Sequence, residues 1–315
     1  MLTEHTVRSA RGRNIAVWAL ESTSQPTPPR PIVLAPGFAR RMDHLGPLAV
    51  YLAHNGFTVY RYDSLDHVGL SDGTMLDFSM SAGLESMDAV VDWVRARHAV
   101  PEVGVIAMSL MARVAYQLAS RHPGIAFLLL AVGVVNVRRT LHAVWNHDIA
   151  GTPVEALPTY VEFEGHYIRS RGFWTDAQEK DWWSVEGTVR ALQAVDRPLA
   201  CFASPEDEWV DASELERVFS SARAGSRRLI HLERSSHDLG RNAAVARVFF
   251  QRTTATALEL SGLAAGSIRE PAFEQIVEQA LVERRLERTT AIRHVPADSF
   301  DSLKMVRRTH HTSTT

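Results

Sequence analysis

Cysteine is nearly missing from this chain of 315 residues, with Cys201 as the single example. One thiol cannot close an intrachain disulfide, and no Cys-x-x-Cys pair is available for zinc, so disulfide scaffolds and cysteine-based metal sites are both excluded. An excess of either charge is missing too. The 34 Lys and Arg residues face 36 Asp and Glu residues, leaving a net charge of −2, which offers no basic field to nucleic acid or to an anionic membrane surface. Long apolar runs are also absent. The longest, Ala126 to Val135, is far below the ~20 residues that span a bilayer. The opening segment, MLTEHTVRSARGRN, lacks the apolar stretch of a secretory leader. The expectation is a cytoplasmic protein. What is present is ordinary for a globular chain, 45% hydrophobic and 22% charged residues, and the length suits one large α/β domain with an insertion.

The pattern along the chain is regular in two stretches. Two short strands are expected around Gly12, followed by a Pro- and Thr-rich turn from Gln25 to Pro31. Then come strand signals at 31–35, 58–62 and 103–108, alternating with helical periodicity at 42–54, 80–98 and 111–120. Ala126 to Val135 is an entirely apolar strand candidate. Strands that are apolar on both faces and alternate with helices predict a mostly parallel sheet with helices on both sides. The alternation stops from Asn136 to Val195, where four of the seven tryptophans lie (Trp145, Trp174, Trp182, Trp183). It resumes with strands at 198–203 and 228–232 and helices at 212–220 and 245–260. An interruption of this length between two sheet strands reads as an inserted cap. The expected organisation is therefore a core of residues 1–135 and 196–290, a cap over 136–195, and a tail over 291–315, rich in Ser, Thr, Arg and His, that is expected to be disordered. His310-His311 in that tail is too short for a metal site.

Ser109 is the first residue that carries chemistry. It stands in Val105-Ile-Ala-Met-Ser109-Leu-Met-Ala-Arg, at the junction of a buried strand and a helix, where a nucleophile elbow of the G-x-S-x-G type exposes a serine on a sharp turn. Ala107 and Met111 take the two glycine positions. Ala107 is small enough, and Met111 is a departure that leaves a plain helix N-cap serine as the competing reading. The elbow requires an acid after a later strand and a histidine after the last one. Asp207 and His237 occupy those places, 98 residues after Ser109 and 30 further on. Glu206 and Glu208 are the rival acids, although Asp207 has the Asp-x-x-Val spacing, while His44 and His67 both precede Ser109, against the expected order. Gly37 lets the loop after the first strong strand approach the serine, so the backbone N–H groups of Phe38 and Leu110 are the expected oxyanion donors. Asp63-x5-Gly69-x-Ser71 reads as loop scaffolding. Arg40 and Arg41 are candidates for holding a phosphate of an acyl carrier, and the four cap tryptophans are candidates for lining an apolar pocket. Cys201 reads as core.

A more specific likeness lies in Gly37-Phe-Ala-Arg-Arg-Met-Asp-His44, Arg61-Tyr-Asp-Ser64, His67-Val-Gly-Leu-Ser71, Ala112-Arg-Val-Ala-Tyr116, Ala131-Val-Gly-Val-Val-Asn136, Phe163-Glu-Gly-His166 and Ser235-Ser-His-Asp-Leu-Gly240. Together these resemble the acyl transferase family of bacterial bioluminescence operons, which are myristoyl-acyl-carrier-protein thioesterases of the α/β-hydrolase fold. The likeness runs from about residue 30 to 290. It implies Ser109 as nucleophile, Asp207 as acid and His237 as base, with an acyl carrier protein as a candidate donor. The family pattern around the nucleophile is A-x-S-x-S, so Ala107 fits and Met111 replaces the second serine.

The expected function is cleavage of an acyl ester or thioester through an acyl-serine, with no cofactor or metal. Two rivals remain open: a lyase on the same scaffold that eliminates a carboxylate such as acetate from an acylated natural-product intermediate, and a non-enzymatic binding protein that kept the fold.

Overall fold

The chain begins with β1 (Leu2–Arg8) and β2 (Asn14–Leu20), which fold back on each other at Gly12, where φ is +76°. Only a residue without a Cβ takes that conformation at no cost. The computed structural model describes residues 1–24, 28–221, 227–263 and 268–289. The expected disordered tail with His310-His311 lies outside these residues, as does part of the Gln25 to Pro31 turn.

From Pro31 onward strands and helices alternate: β3 (Pro31–Ala35), α1 (Gly46–His54), β4 (Thr58–Tyr62), α2 (Met80–His98), β5 (Val103–Met108), α3 (Leu110–Ala119) and β6 (Ile125–Ala131). After an interruption follow β9 (Leu199–Ala203), α7 (Ala212–Ser220), β10 (Arg227–His231), α8 (Ala243–Leu260) and α9 (Phe273–Thr289). The interruption itself holds α4 (Val137–Trp145), a small antiparallel hairpin of β7 (Tyr160–Phe163) and β8 (His166–Arg169), α5 (Ser170–Glu179) and α6 (Val185–Gln193). Eight strands form one sheet in the order β1-β2-β4-β3-β5-β6-β9-β10. The six strands from β4 to β10 in that order run parallel, and β2 meets β4 antiparallel.

Successive side chains of a strand point to opposite faces, and the core divides accordingly. Val33 and Ala35 of β3, Leu128 and Leu130 of β6, and Leu199 and Cys201 of β9 join the layer under α2 and α3. Ile32 and Leu34, Phe127 and Leu129, and Ala200 and Phe202 join the opposite layer under α1 and α8. Cys201 is fully buried in the first layer, and burial pushes its thiol up to about 12.

Helix ends follow local chemistry. Ser79, Asn136, Ser184, Asp211 and Asn242 cap the helices that follow them by accepting backbone N–H bonds. Two elements differ from the pattern expected. The helix expected over 42–54 is a 3-10 turn (Met42–Leu45) followed by α1, because Pro47 has no N–H and fits only in a first turn. The strand expected to reach Val135 ends at Ala131, because Val132 has φ +46° and leaves the extended conformation. In the interrupted region, α6 packs against α3 and α7 as a sheet-covering crossover helix, whereas α5 packs on α2 and β8 on the 3-10 turn at Met75–Asp77. Among the described residues no helix is long and apolar enough to cross a membrane.

Candidate active site

The turn between β5 and α3 holds Ser109 at φ 50° and ψ −122°. That region is costly for a residue with a side chain and persists only where neighbours over-determine it. Here they do. The Ser109 N–H donates to the carbonyl of Ala131 at 2.9 Å, and its carbonyl accepts from Val134 N at 3.1 Å and Ala112 N at 3.0 Å. The early end of β6 is thus what clasps the serine turn, and Gly133 permits it: a Cβ there would lie 3.0 Å from Cβ of Ala112.

Ser109 Oγ is 2.7 Å from His237 Nε2, and His237 Nδ1 is 2.8 Å from Oδ2 and 3.0 Å from Oδ1 of Asp207. The three side chains come from the ends of β5, β9 and β10, neighbouring regions of the sheet reached across 128 residues of chain. Asp207 also accepts backbone N–H bonds from Trp209 and Val210, both 2.9 Å, so its carboxylate is held by the backbone as well as by the imidazole. Its side chain is 2% exposed, while Glu206 and Glu208 are on the surface or at the cleft rim. The loop of His237 is pinned by Ser204 Oγ donating to Ser235 O and by Ser235 Oγ donating to Leu232 O. The ring of Trp209 lies 4.5 Å from that of His237, which limits the imidazole's rotation.

The loop after β3 reaches the same point. A Cβ on Gly37 would come 3.1 Å from Cβ of Ser109, so only glycine allows the approach without displacement. Phe38 and Leu110 flank Ser109 and line a cavity above it. His67 is not near the imidazole's place. It is buried beside the loop, its Nε2 accepting the Ala39 N–H at 3.0 Å, and burial lowers its pKa to about 3. His44 is half exposed and accepts the Arg41 N–H at its Nδ1. Asp63 accepts N–H bonds from Met42 and Leu70, both at 2.8 Å, while Ser71 Oγ donates to the Asp63 carbonyl. That network ties the loop before α1 to the loop after β4.

Two spaces meet at Ser109. One is a small apolar cavity under the interrupted region, walled by Phe38, Leu141, Trp145, Phe163 and Phe173. The other is an open cleft on the far side of the serine and histidine, with Arg40, His44, Glu208 and Arg241 at its rim. Of the four tryptophans expected to line the pocket, Trp145 does, with its Nε1 donating to Glu162 O at 2.7 Å. The other three do not. Trp182 lies under the guanidinium of Arg113 at 5.0 Å, Trp183 packs edge-on against Phe173 behind the cavity wall, and Trp174 rests on the core as a partly buried side chain. Arg40 reaches across the cleft to Glu164 at 3.1 Å, and Arg41 turns to Asp43 at 3.0 Å, away from the cleft lining. Trp209 and Phe78 line the apolar cavity and were not expected. Trp209 is two residues beyond Asp207, a proximity that a sequence reading can use; Phe78 has no such signal.

Comparison with known proteins agrees with this architecture. The model of the Acyl transferase family matches residues 1–291. The acyl transferase of Aliivibrio fischeri strain MJ11 is 41% identical over 287 residues, covering 90% of this chain and 93% of that protein. The acyl transferase of Photorhabdus luminescens is 39% identical with the same coverage. Among solved structures, the esterase Est1E from Butyrivibrio proteoclasticus, bound to ferulic acid, superposes with a TM-score of 0.69 at 15% identity, covering 82% of this chain and 99% of its own. An esterase domain from Rhodothermus marinus gives a TM-score of 0.60 at 18% identity, covering 82% and 98%. These two likenesses concern the fold. With its sheet order, its serine turn and this match along nearly its whole described length, the chain belongs to the Acyl transferase family and has the α/β-hydrolase fold.

Proposed function

We propose that the protein takes an acyl group from an ester or thioester onto Ser109 and passes it to water or another acceptor. The observation that carries this reading is the continuous hydrogen-bonded chain from Ser109 Oγ through His237 to the buried Asp207, at 2.7 and 2.8 Å, set beneath an apolar cavity. His237 Nε2 accepts the Ser109 proton as Oγ attacks the acyl carbon, and Asp207 holds the Nδ1–H and stabilises the imidazolium. The backbone N–H groups of Phe38 and Leu110 steady the oxyanion of the tetrahedral intermediate. His237 then returns the proton to the leaving alcohol or thiol. In the second half the acceptor loses its proton to His237 as it attacks the acyl carbon, and His237 passes that proton to Ser109 Oγ as the acyl–serine bond breaks.

The division of space supports this order. The apolar cavity suits the acyl chain and the open cleft suits donor and acceptor. The cleft rim is mixed in charge, with the Arg40–Glu164 ion pair, Glu208, Asp238 and Arg241, and Arg241 is the cation placed to meet the phosphate of a phosphopantetheine-type thiol on an acyl carrier protein. The family's name, and its curated members, support acyl transfer as the class of reaction.

The test is intact-protein mass spectrometry with a fluorophosphonate and with acyl thioesters, followed by mapping of the modified residue. Ser109 should carry the adduct, and Ser109→Ala should lose up to ~10⁶ in kcat. Asp207→Asn should lose ~10⁴ through the wrong tautomer, with Glu208→Gln close to wild type. A Ser109→Ala protein that keeps more than a few per cent of its activity, or a product with the acyl-bearing skeleton unsaturated by elimination, would remove the acyl-serine reading.

A further inference from the structure

The cavity over Ser109 is small. At about 40 Å³ it has room for about three waters, one water needing ~10–15 Å³ on the same scale. A chain of more than a few carbons does not fit there. Beyond the cavity lies a second pocket of about 590 Å³ that opens to the surface. Two side chains line both: Phe78, just before α2, and Phe173, on α5. Their rings stack with centroids 6.0 Å apart and planes 21° from parallel, and both are almost fully buried. This pair is the partition between the two spaces.

Each ring is braced from its own side. Phe78 packs against Phe38 and His67, with centroids 5.0 and 5.5 Å away, and Phe173 against Trp183 at 5.5 Å. The two sides are joined across the partition by polar ties. Asp77 pairs with Arg169 at the end of β8, and Asp176 of α5 accepts the Ser81 N–H at 3.0 Å. Leu76 and Leu157 line the second pocket together with the two rings, and Asp77, Arg169, Arg171 and Asp176 also border it, so a methylene chain that passes the partition meets apolar surface first and charged groups around it.

We propose that the second pocket is a distal acyl subsite and that Phe78 and Phe173 form the gate controlling which acyl lengths reach it. This rests on the acyl-serine reading above, with the acyl carbon at Ser109 and the chain directed into the apolar cavity. A short acyl group ends at the rings. A longer one parts them and places its terminal methylenes beside Leu76 and Leu157.

The experiment is a chain-length series of p-nitrophenyl esters, from acetate to palmitate, on the full-length protein. The readout is the ratio of long-ester to short-ester kcat/KM, alongside mass detection of the Ser109 adduct. Phe173→Ala removes half the partition, and Phe78→Leu is the milder companion should α5 loosen. Both should raise the ratio, by about fourfold for each methylene newly covered by apolar surface. Leu157→Trp puts an indole into the second pocket and should lower the ratio, alone and combined with Phe173→Ala. Ratios unchanged in all of these variants, each with a wild-type melting transition, overturn the subsite while the acyl-serine stands. Absence of both ester turnover and Ser109 adduct in the wild type overturns the functional reading itself, and the subsite with it.

Discussion

Met111, in the first turn of α3, occupies the space that Gly83 leaves open on α2: a Cβ on Gly83 would lie 3.1 Å from Cε and 3.3 Å from Sδ of the methionine. Met111 is 4% exposed. A large side chain beside the Ser109 turn is therefore accommodated by a missing one on the neighbouring helix, and the two positions should be coupled.

Met111→Ser should cost about 2–4 kcal/mol, the usual range for emptying a buried site of this size. Gly83→Ala gains up to ~1 kcal/mol of helix propensity but presses on the methionine tip. In the double variant the added methyl enters the space vacated by Met111, so the loss should be smaller than the sum of the singles. Urea denaturation of the four proteins closes the double-mutant cycle. Strict additivity would show that the two side chains are not in contact.

His67 should make stability pH-dependent on the acid side. Its Nε2 accepts the Ala39 N–H, which requires a neutral ring, and burial lowers its pKa to about 3 against ~6.5 in the unfolded chain. Between these values the unfolded chain binds a proton that the fold refuses. The contribution is full above ~6.5 and is lost as pH falls toward 3. Asp63 acts in the opposite sense: desolvation raises it to about 7, so its contribution is present below ~4 and is lost as pH rises through 7. Comparing wild type with His67→Gln isolates the first effect, because glutamine can accept the same bond without titrating. The variant's stability between pH 3 and 6.5 should fall less steeply than that of the wild type. Parallel curves would mean that His67 titrates normally.

Arg61 of β4 and Glu283 of α9 form an ion pair at 2.6 Å with 0% and 4% of their side chains exposed. Arg61 also donates to Met42 O and lies 5.8 Å from the Trp18 ring, and Gln279 donates to Glu283. A Cβ on Gly46 would fall 2.8 Å from Glu283 Oε2 and 3.3 Å from an Arg61 nitrogen, so a side chain there would press on the ion pair. Glu283→Ala leaves a buried guanidinium without its counter-charge and should cost about 3–5 kcal/mol. Arg61→Met with Glu283→Leu should cost clearly less, as the charge and its partner leave together. Chemical denaturation reads both, and equal losses would show that the pairing contributes nothing.

The alternation of strands and helices, the N-cap residues and the place of Ser109 between β5 and α3 are all legible in the chain because they depend on neighbours a few residues away. Periodicity of two or four residues, Pro47 in a first turn and Gly12 at a positive φ act through local backbone sterics. The order Ser109, Asp207, His237 was legible for a related reason: in a parallel sheet the loops at one end of successive strands converge. The tertiary structure alone decided which side chains meet there. Asp207 and Glu208 are adjacent and alike in charge, but only Asp207 lies within reach of His237 and of the Trp209 and Val210 N–H groups. Four tryptophans shared one aromatic segment, yet Trp145 alone of them lines the cavity, since the turns that separate them aim the rest at Arg113 or the core. Phe78 meets Phe173 at a sequence separation of 95, and Arg61 meets Glu283 at one of 222. Such pairings are set by how layers pack, and packing is a through-space property that no local pattern encodes.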